Sequence, residues 1–284
     1  MRGEGVTTLG SAMLVLPLLT YFALFVLAPL VVLVGVSLVE GLANPTPTLA
    51  HYQRFFTERI NVVVLLDTLR LAALTTVVAI LLGYPMALLF LMLPARFQPV
   101  LLFLVVLPLL TSAVVRTFAW IVILGRLGVV NQMLLGLGLV REPVQLLYNE
   151  AALVVALAQI DLSLVVLPLV SNLKALDPNL VLASRSLGAS HARTFWRVLL
   201  PLTRPGLLAG AVLVFTASLG AFVTQIVVGG GRLLYMPMYV YQQAINLQEY
   251  GFAAALALSL LLTVAGVLLL FGIATSVLTR ERRA

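Results

Sequence analysis

A chain of 284 residues that is 62% hydrophobic and only 10% charged carries more apolar side chain than a soluble fold of that length can bury. With a mean hydropathy of +1.14 it reads as an integral membrane protein. The absence of cysteine excludes a disulfide framework and a thiolate metal site. The net charge of +7 is explained by where the cations fall along the chain, without nucleic acid.

Six apolar segments lie at about 12–38, 62–93, 99–125, 151–173, 205–229 and 252–278. Each nears or exceeds the ~20 residues a helix needs to cross hydrocarbon. They lack the alternation of barrel strands, and backbone in lipid must pair within its own segment, so helices are expected. The fold class is an all-α integral membrane protein with six transmembrane helices in one transmembrane domain, 1–284. The first segment is too long for a removable signal peptide and is treated as a retained helix. After it, the loop Glu40 to Asn61 is too polar to insert, and Tyr52, Phe55 and Phe56 suit a short interfacial helix.

Asp67 and Arg70, three residues apart in the second segment, are expected to neutralise each other. Pro85 is expected to kink that helix. Between Arg126 and Glu150 the Gly-Leu repeats read as a loop making a shallow excursion. Gly229, Gly230 and Gly231 supply a turn, and Tyr235 to Tyr250 forms a second outer stretch. His51 and His191 fit no metal-binding spacing and are expected to be solvated.

Orientation follows from the basic residues. With the N-terminus inside, Arg2, Arg96, Lys174, Arg185, Arg193, Arg197, Arg204, Arg280, Arg282 and Arg283 lie inside, against Arg54, Arg59, Arg126, Arg141 and Arg232 outside. Arg70 and Arg116 fall within segments, which completes the seventeen. Cytoplasmic loops carry the positive excess, so both termini are expected in the cytoplasm.

The stretch Asp177 to Pro205, between the fourth and fifth segments, does not look made for lipid. Asp177 can cap a helix whose first turn tolerates Pro178. Gly188 is expected to end that helix, and Ser190 to cap a second one running to Pro201. On the second helix Ala192, Phe195, Trp196 and Leu199 share a face, and Arg193 and Arg197 form a basic pair on another. Such a helix suits either lipid headgroups or a docking protein.

The words LASRSLGASHARTFWRVLLPLTRPGLLAG resemble the cytoplasmic loop of type I permeases in binding-protein-dependent ABC importers. Leu182, Ala183 and Ser184 stand where that family has Glu-Ala-Ala, Gly188 matches its glycine, and Leu200-Pro201 match its terminal Leu-Pro. Leu182 in place of glutamate is a departure. The resemblance implies that this loop is a coupling helix docking on an ATPase subunit, with Leu182, Ala183, Ser184, Arg185, Gly188, Ala189, Ser190, Phe195 and Arg197 as coupling residues. Over nearly its full length the chain is similar to the polyamine (spermidine/putrescine) branch. The matching words are DTLRLAALTT with GYPMA, TSAVVRTFAW, GRLGVVNQMLLGLGL and AFVTQIVVGGG. Gln225 stands where that branch often has proline, and Asp161 falls in a stretch usually uncharged there.

The resemblance implies a permease in the bacterial inner membrane, working with a second permease subunit, two ATPase subunits and an external substrate-binding protein. ATP and Mg would be bound by the partner ATPase and no cofactor by this chain. No phosphate-cradling GxxxxGK[ST] word is present, which agrees with ATP hydrolysis elsewhere. GxSxG and HExxH are also missing, which speaks against a membrane hydrolase or zinc protease.

Asp161, about midway along the fourth segment, is expensive in lipid and is expected to face a wet path or a partner helix. It reads either as a cation-attracting group or as a structural carboxylate hydrogen-bonded between helices. Arg116 lies near enough to the outer end of the third segment to snorkel, although the resemblance of its surroundings implies a buried role. Arg116, Trp120 and Gln225 join Asp161 as candidate path residues. The expected function is the permease subunit of an alternating-access path for a small cationic solute such as a polyamine. The alternatives are another solute of the same transporter class (an amino acid derivative, an aminophosphonate or a metal-bearing anion), a membrane-embedded enzyme, or a channel.

Overall fold

The computed structural model describes residues 16–41, 46–177 and 179–280, with side chains as far as Ile273. The expectations placed on Arg2, Pro178, Arg282 and Arg283 lie outside the described residues, as does the side chain of Arg280. Among the described residues all regular structure is helical apart from one antiparallel bridge, Val39 to Pro47.

The helices in chain order are α1 (Leu16–Ser37), α2 (Ala50–Thr57), α3 (Arg59–Met92), α4 (Gln98–Leu110), α5 (Ala113–Leu124), α6 (Val129–Gly136) and α7 (Glu150–Ile160). They continue with α8 (Leu162–Lys174), α9 (Asn179–Ser186), α10 (His191–Leu202), α11 (Arg204–Leu219), α12 (Phe222–Gly229), α13 (Met236–Tyr241) and α14 (Tyr250–Arg280). Among the described residues four helical stretches are long and apolar enough to cross a membrane, or up to six if the bent pairs α7–α8 and α10–α11 are each one span.

The helical class stands, but the expected segments at 99–125, 151–173 and 205–229 are each interrupted, and the apolar stretches there run over 113–136, 150–174 and 191–219. The segment at 99–125 is interrupted at Thr111 and Ser112, and the long apolar stretch beyond the break runs from Ala113 to Gly136. At the break the Thr111 hydroxyl donates back to the Pro108 carbonyl at 2.9 Å, an alternative to the helical bond, and Pro108 already leaves the Leu104 carbonyl without its helical partner. The stretch after Arg126 is not a loop throughout, because α6 forms there. It is held by buried Asn131, whose amide donates to the carbonyls of Gly125 and Val144 and accepts from the Val144 N–H, each at 2.9 Å. The segment at 205–229 breaks at Gly220 into α11 and α12. By contrast, α3 runs unbroken through Pro85.

The chain divides into two compact units, Met1–Val63 with Tyr239–Ala284, and Val64–Met238. In the first, α14 packs on α1 and α2. None of the apolar stretch of α1 is buried, and among its described residues α14 is buried only near its start, from Phe252 to Leu258. The polar ties gather on α2. His51, expected to be solvated, is half-buried with Nε2 3.0 Å from the Val39 carbonyl, and a Cβ at Gly251 would collide with its ring. Phe55 is buried while Phe56 is exposed, so only one of the two rings is free for an interface. Arg54 pairs with Glu58 and Glu249 and lies over the Phe252 ring.

In the second unit α11 lies across α8 at close backbone approach. A Cβ at Gly206 would stand 2.8 Å from the Pro168 carbonyl, and one at Gly210 would stand 2.9 Å from Val165 Cα. The word GLLAG thus supplies two small residues four apart on the crossing face, the pattern that lets helices touch in a membrane. Val165, Val166, Leu169 and Val214 are fully buried around the crossing, and Tyr84, Ala87 and Phe90 of α3 close it from the side. A second apolar cluster joins Leu153 and Leu157 of α7 to Val228 of α12.

Candidate functional site

Asp161 is the hinge between α7 and α8, which bend there by 44°. Its backbone leaves the helical region while its N–H still bonds Leu157 O at 2.9 Å, so one residue ends α7 and begins α8. The side chain is 8% exposed and accepts a hydrogen bond from Ser218 Oγ at 3.3 Å. Ser218 in turn accepts, on its carbonyl, a bond from Gln225 Nε2 at 3.3 Å. Asp161, Ser218 and Gln225 therefore tie the α7–α8 bend to the end of α11 and the start of α12. Nearby, the Thr117 and Thr224 hydroxyls meet at 3.1 Å and link α5 to α12.

Arg116 and Trp120, one turn apart on α5, line a cavity of about 380 Å³ with Pro108, Thr111 and Gln159. Arg116 does not snorkel free. Its Nε and Nη1 are buried and have no hydrogen-bond partner among the described residues, and its charge acts on the Asp161 carboxylate. Of the four path residues expected from sequence, two are joined through Ser218 and two share this cavity. Asp161 itself does not line it; Gln159, two residues earlier, does. The signal for Gln159 was present as an amide within an apolar run. Ser218 carried no signal, because a serine at a helix end is ordinary.

Asp67 and Arg70 do not form the expected pair. Arg70 Nη2 instead meets Glu150 Oε2 at 3.2 Å, because Asn149 caps α7 and places Glu150 in its first turn. Tyr235 near this corner has its hydroxyl pushed up to about 12, first by burial and then by the negative charges of Glu150 and Asp67.

The loop between α8 and α11 has the expected helix, glycine, helix form. Gly188 has φ +79°; the Ala189 N–H bonds Ser184 O at 3.1 Å and the Gly188 N–H bonds Arg185 O at 2.9 Å, a left-handed cap that closes α9. The Ser190 hydroxyl accepts from the Arg193 N–H at 3.3 Å to start α10, and the Ser184 and Thr194 hydroxyls meet at 3.0 Å across the turn. Leu182, Ala183, Arg185 and Arg197 are exposed, with Leu182 at 60%. Phe195 differs from expectation. From Phe195 to Leu199 the helix widens to a π turn; Phe195 turns in against Tyr84 at 5.3 Å between ring centres, while Trp196, edge-on to Phe195 at 5.2 Å, stays exposed. At Thr203 the chain bends by 68° into α11, and the Tyr84 hydroxyl meets Thr203 Oγ1 at 2.7 Å there.

A family model for the binding-protein-dependent transport system inner membrane component matches residues 72–280 and so takes in both the loop and the buried polar cluster. The chain belongs to this family. The spermidine/putrescine transport system permease protein PotB of Escherichia coli (strain K12) is 30% identical over 272 residues, covering 94% of this chain and 98% of that protein. The molybdenum transport system permease protein ModB of Mycobacterium tuberculosis is 33% identical over 212 residues, covering 74% of this chain and 77% of that one. A chain of a bacterial ABC transporter involved in the import of the acidic polysaccharide alginate shares the fold, with a TM-score of 0.76 at 21% identity over 94% of this chain and 95% of that one. The protein is thus an inner-membrane permease subunit of an ABC importer. Such a permease moves solute without covalent chemistry.

Proposed function

We propose that this permease pairs with a second permease subunit, two ATPase subunits and an external binding protein to import a small cationic solute of the polyamine class. ATP and Mg are bound by the ATPases. The observation that carries the solute class is the likeness to PotB along almost the whole of both chains. The loop from α9 to α10 is the coupling element: exposed Leu182, Ala183 and Arg197 around the Gly188 hinge fit docking on an ATPase. In this reading the loop and both termini lie in the cytoplasm, in keeping with the excess of basic residues there. A single cysteine at position 191, whose histidine is exposed, labels only from the inner side. Labelling from outside sinks the topology.

A second reading is favoured by one feature. Arg116, whose buried Nε and Nη1 have no hydrogen-bond partner among the described residues, lines this cavity, a cation that suits an oxyanion, and ModB is 33% identical over 212 residues. The two readings separate by uptake. The complex reconstituted with its cognate binding protein accumulates labelled spermidine or putrescine under the first and molybdate under the second. Accumulation of neither removes both solute classes and leaves the family unaffected.

A further inference from the structure

At the loop end of the second unit, α3, α8 and α10 enclose a groove of about 850 Å³. Its walls are apolar: Leu88, Leu91 and Met92 from the last turns of α3, Leu173 from the last turn of α8, and Phe195 and Leu199 from the π turn. Its rim is basic. Lys174, Arg185 and His191 line it, and Lys174 Nζ stands 4.7 Å from the Phe90 ring centre. One acid, Asp177, is also present, and its Oδ1 already accepts the Asn179 N–H at 2.9 Å. Trp196, 65% exposed, and Met92, 81% exposed, border the same space.

We propose that this groove seats an anionic phospholipid, with an acyl chain along the α3 and α8 walls and its headgroup phosphate at Lys174 and Arg185. Three observations carry this occupant. The walls are the terminal turns of two membrane-embedded helices, so the groove sits at the level where acyl chains give way to headgroups. The cations ring the apolar surface in the order an anionic amphiphile requires, and an exposed indole at such a boundary is the usual interfacial anchor. The most exposed leucines of the loop, Leu182 and Leu187, are absent from the groove lining. Of the coupling residues only Arg185 and Phe195 line the groove, while Leu182, Ala183 and Arg197 stay exposed outside it for a protein partner. The proposal rests on the inner-membrane family and not on the identity of the solute, so failure of the polyamine reading leaves it standing.

The test uses the assembled importer in mixed micelles of phosphatidylglycerol and phosphatidylcholine. A bimane on a cysteine at Ala192, an exposed groove residue, is quenched more strongly by brominated phosphatidylglycerol than by brominated phosphatidylcholine at equal mole fraction. Each cation near an anionic surface strengthens attraction about fivefold, so Lys174→Gln with Arg185→Gln lowers the preference by roughly tenfold or more. In native mass spectrometry Ala192→Trp, which fills the groove and changes no charge, reduces the phosphatidylglycerol retained while the yield of complex is kept. Equal quenching by the two lipids overturns the proposal even if the charge variants fail to assemble. So does crosslinking of the cysteine at 192 to the ATPase subunit, which assigns the groove to that partner.

Discussion

The crossing of α11 over α8 and the run of α14 beside α1 are both built from apolar helix containing glycine, yet glycine has opposite meanings in them. At the crossing, Gly206 and Gly210 stand where any Cβ would enter the backbone of α8. Along α1 and α14, Gly35 and Gly266 have nothing within 4 Å of where a Cβ would be. The first pair permits helix contact, and the second sits on surface that this chain leaves for lipid or another subunit. Hydropathy cannot tell the two apart, because lipid and a neighbouring helix are equally apolar.

The largest effect expected from this contrast is that of Gly210→Leu. The added side chain must push α11 off α8, and overpacking of this kind costs about 3 kcal/mol or more. Gly35→Leu and Gly266→Leu should change stability by less than about 0.5 kcal/mol. Thermal unfolding of the three variants in detergent checks this, and equal losses would erase the distinction. Next comes the buried polar hinge. Asp161→Asn removes the carboxylate that accepts the Ser218 hydroxyl and whose charge Arg116 feels, and is expected to cost about 1–3 kcal/mol. Adding Arg116→Gln should recover part of that loss, since removing both charges harms less than removing one. If instead the amount of complex is unchanged in Asp161→Asn while cation uptake falls, the carboxylate belongs to the solute path and not to the helix tie.

Gly188→Val is expected to cost about 1–2 kcal/mol locally, because a β-branched residue resists the φ of +79° found there. The complex should assemble but lose the ATPase stimulation given by loaded binding protein; normal stimulation would count against the hinge. Tyr84→Phe removes the bond to Thr203 at the 68° bend and should lower stability by about 1 kcal/mol, leaving that hydroxyl its bond to Leu199 O at 2.8 Å. The smallest effect is that of Arg70→Gln. Arg70 is 64% exposed in its pair with Glu150, so less than about 1 kcal/mol is expected, and that only at low salt.

The helical class, the membrane setting and the glycine hinge of the loop were legible in the sequence, because each follows from local properties. Apolar length makes α1, α3 and α14 spans wherever they lie, and Gly188 with Ser190 ends one helix and starts the next through bonds within a few residues. The tertiary structure alone decided what depends on a second element. It paired Arg70 with Glu150 and not Asp67, and turned Phe195 inward to Tyr84. It also placed Ser218 against Asp161, and Gly206 and Gly210 against α8. In each case the deciding contact spans tens of residues or the decision lies between two equally apolar surroundings. Periodicity and hydropathy, which register only a residue's own neighbourhood, carry no term for either.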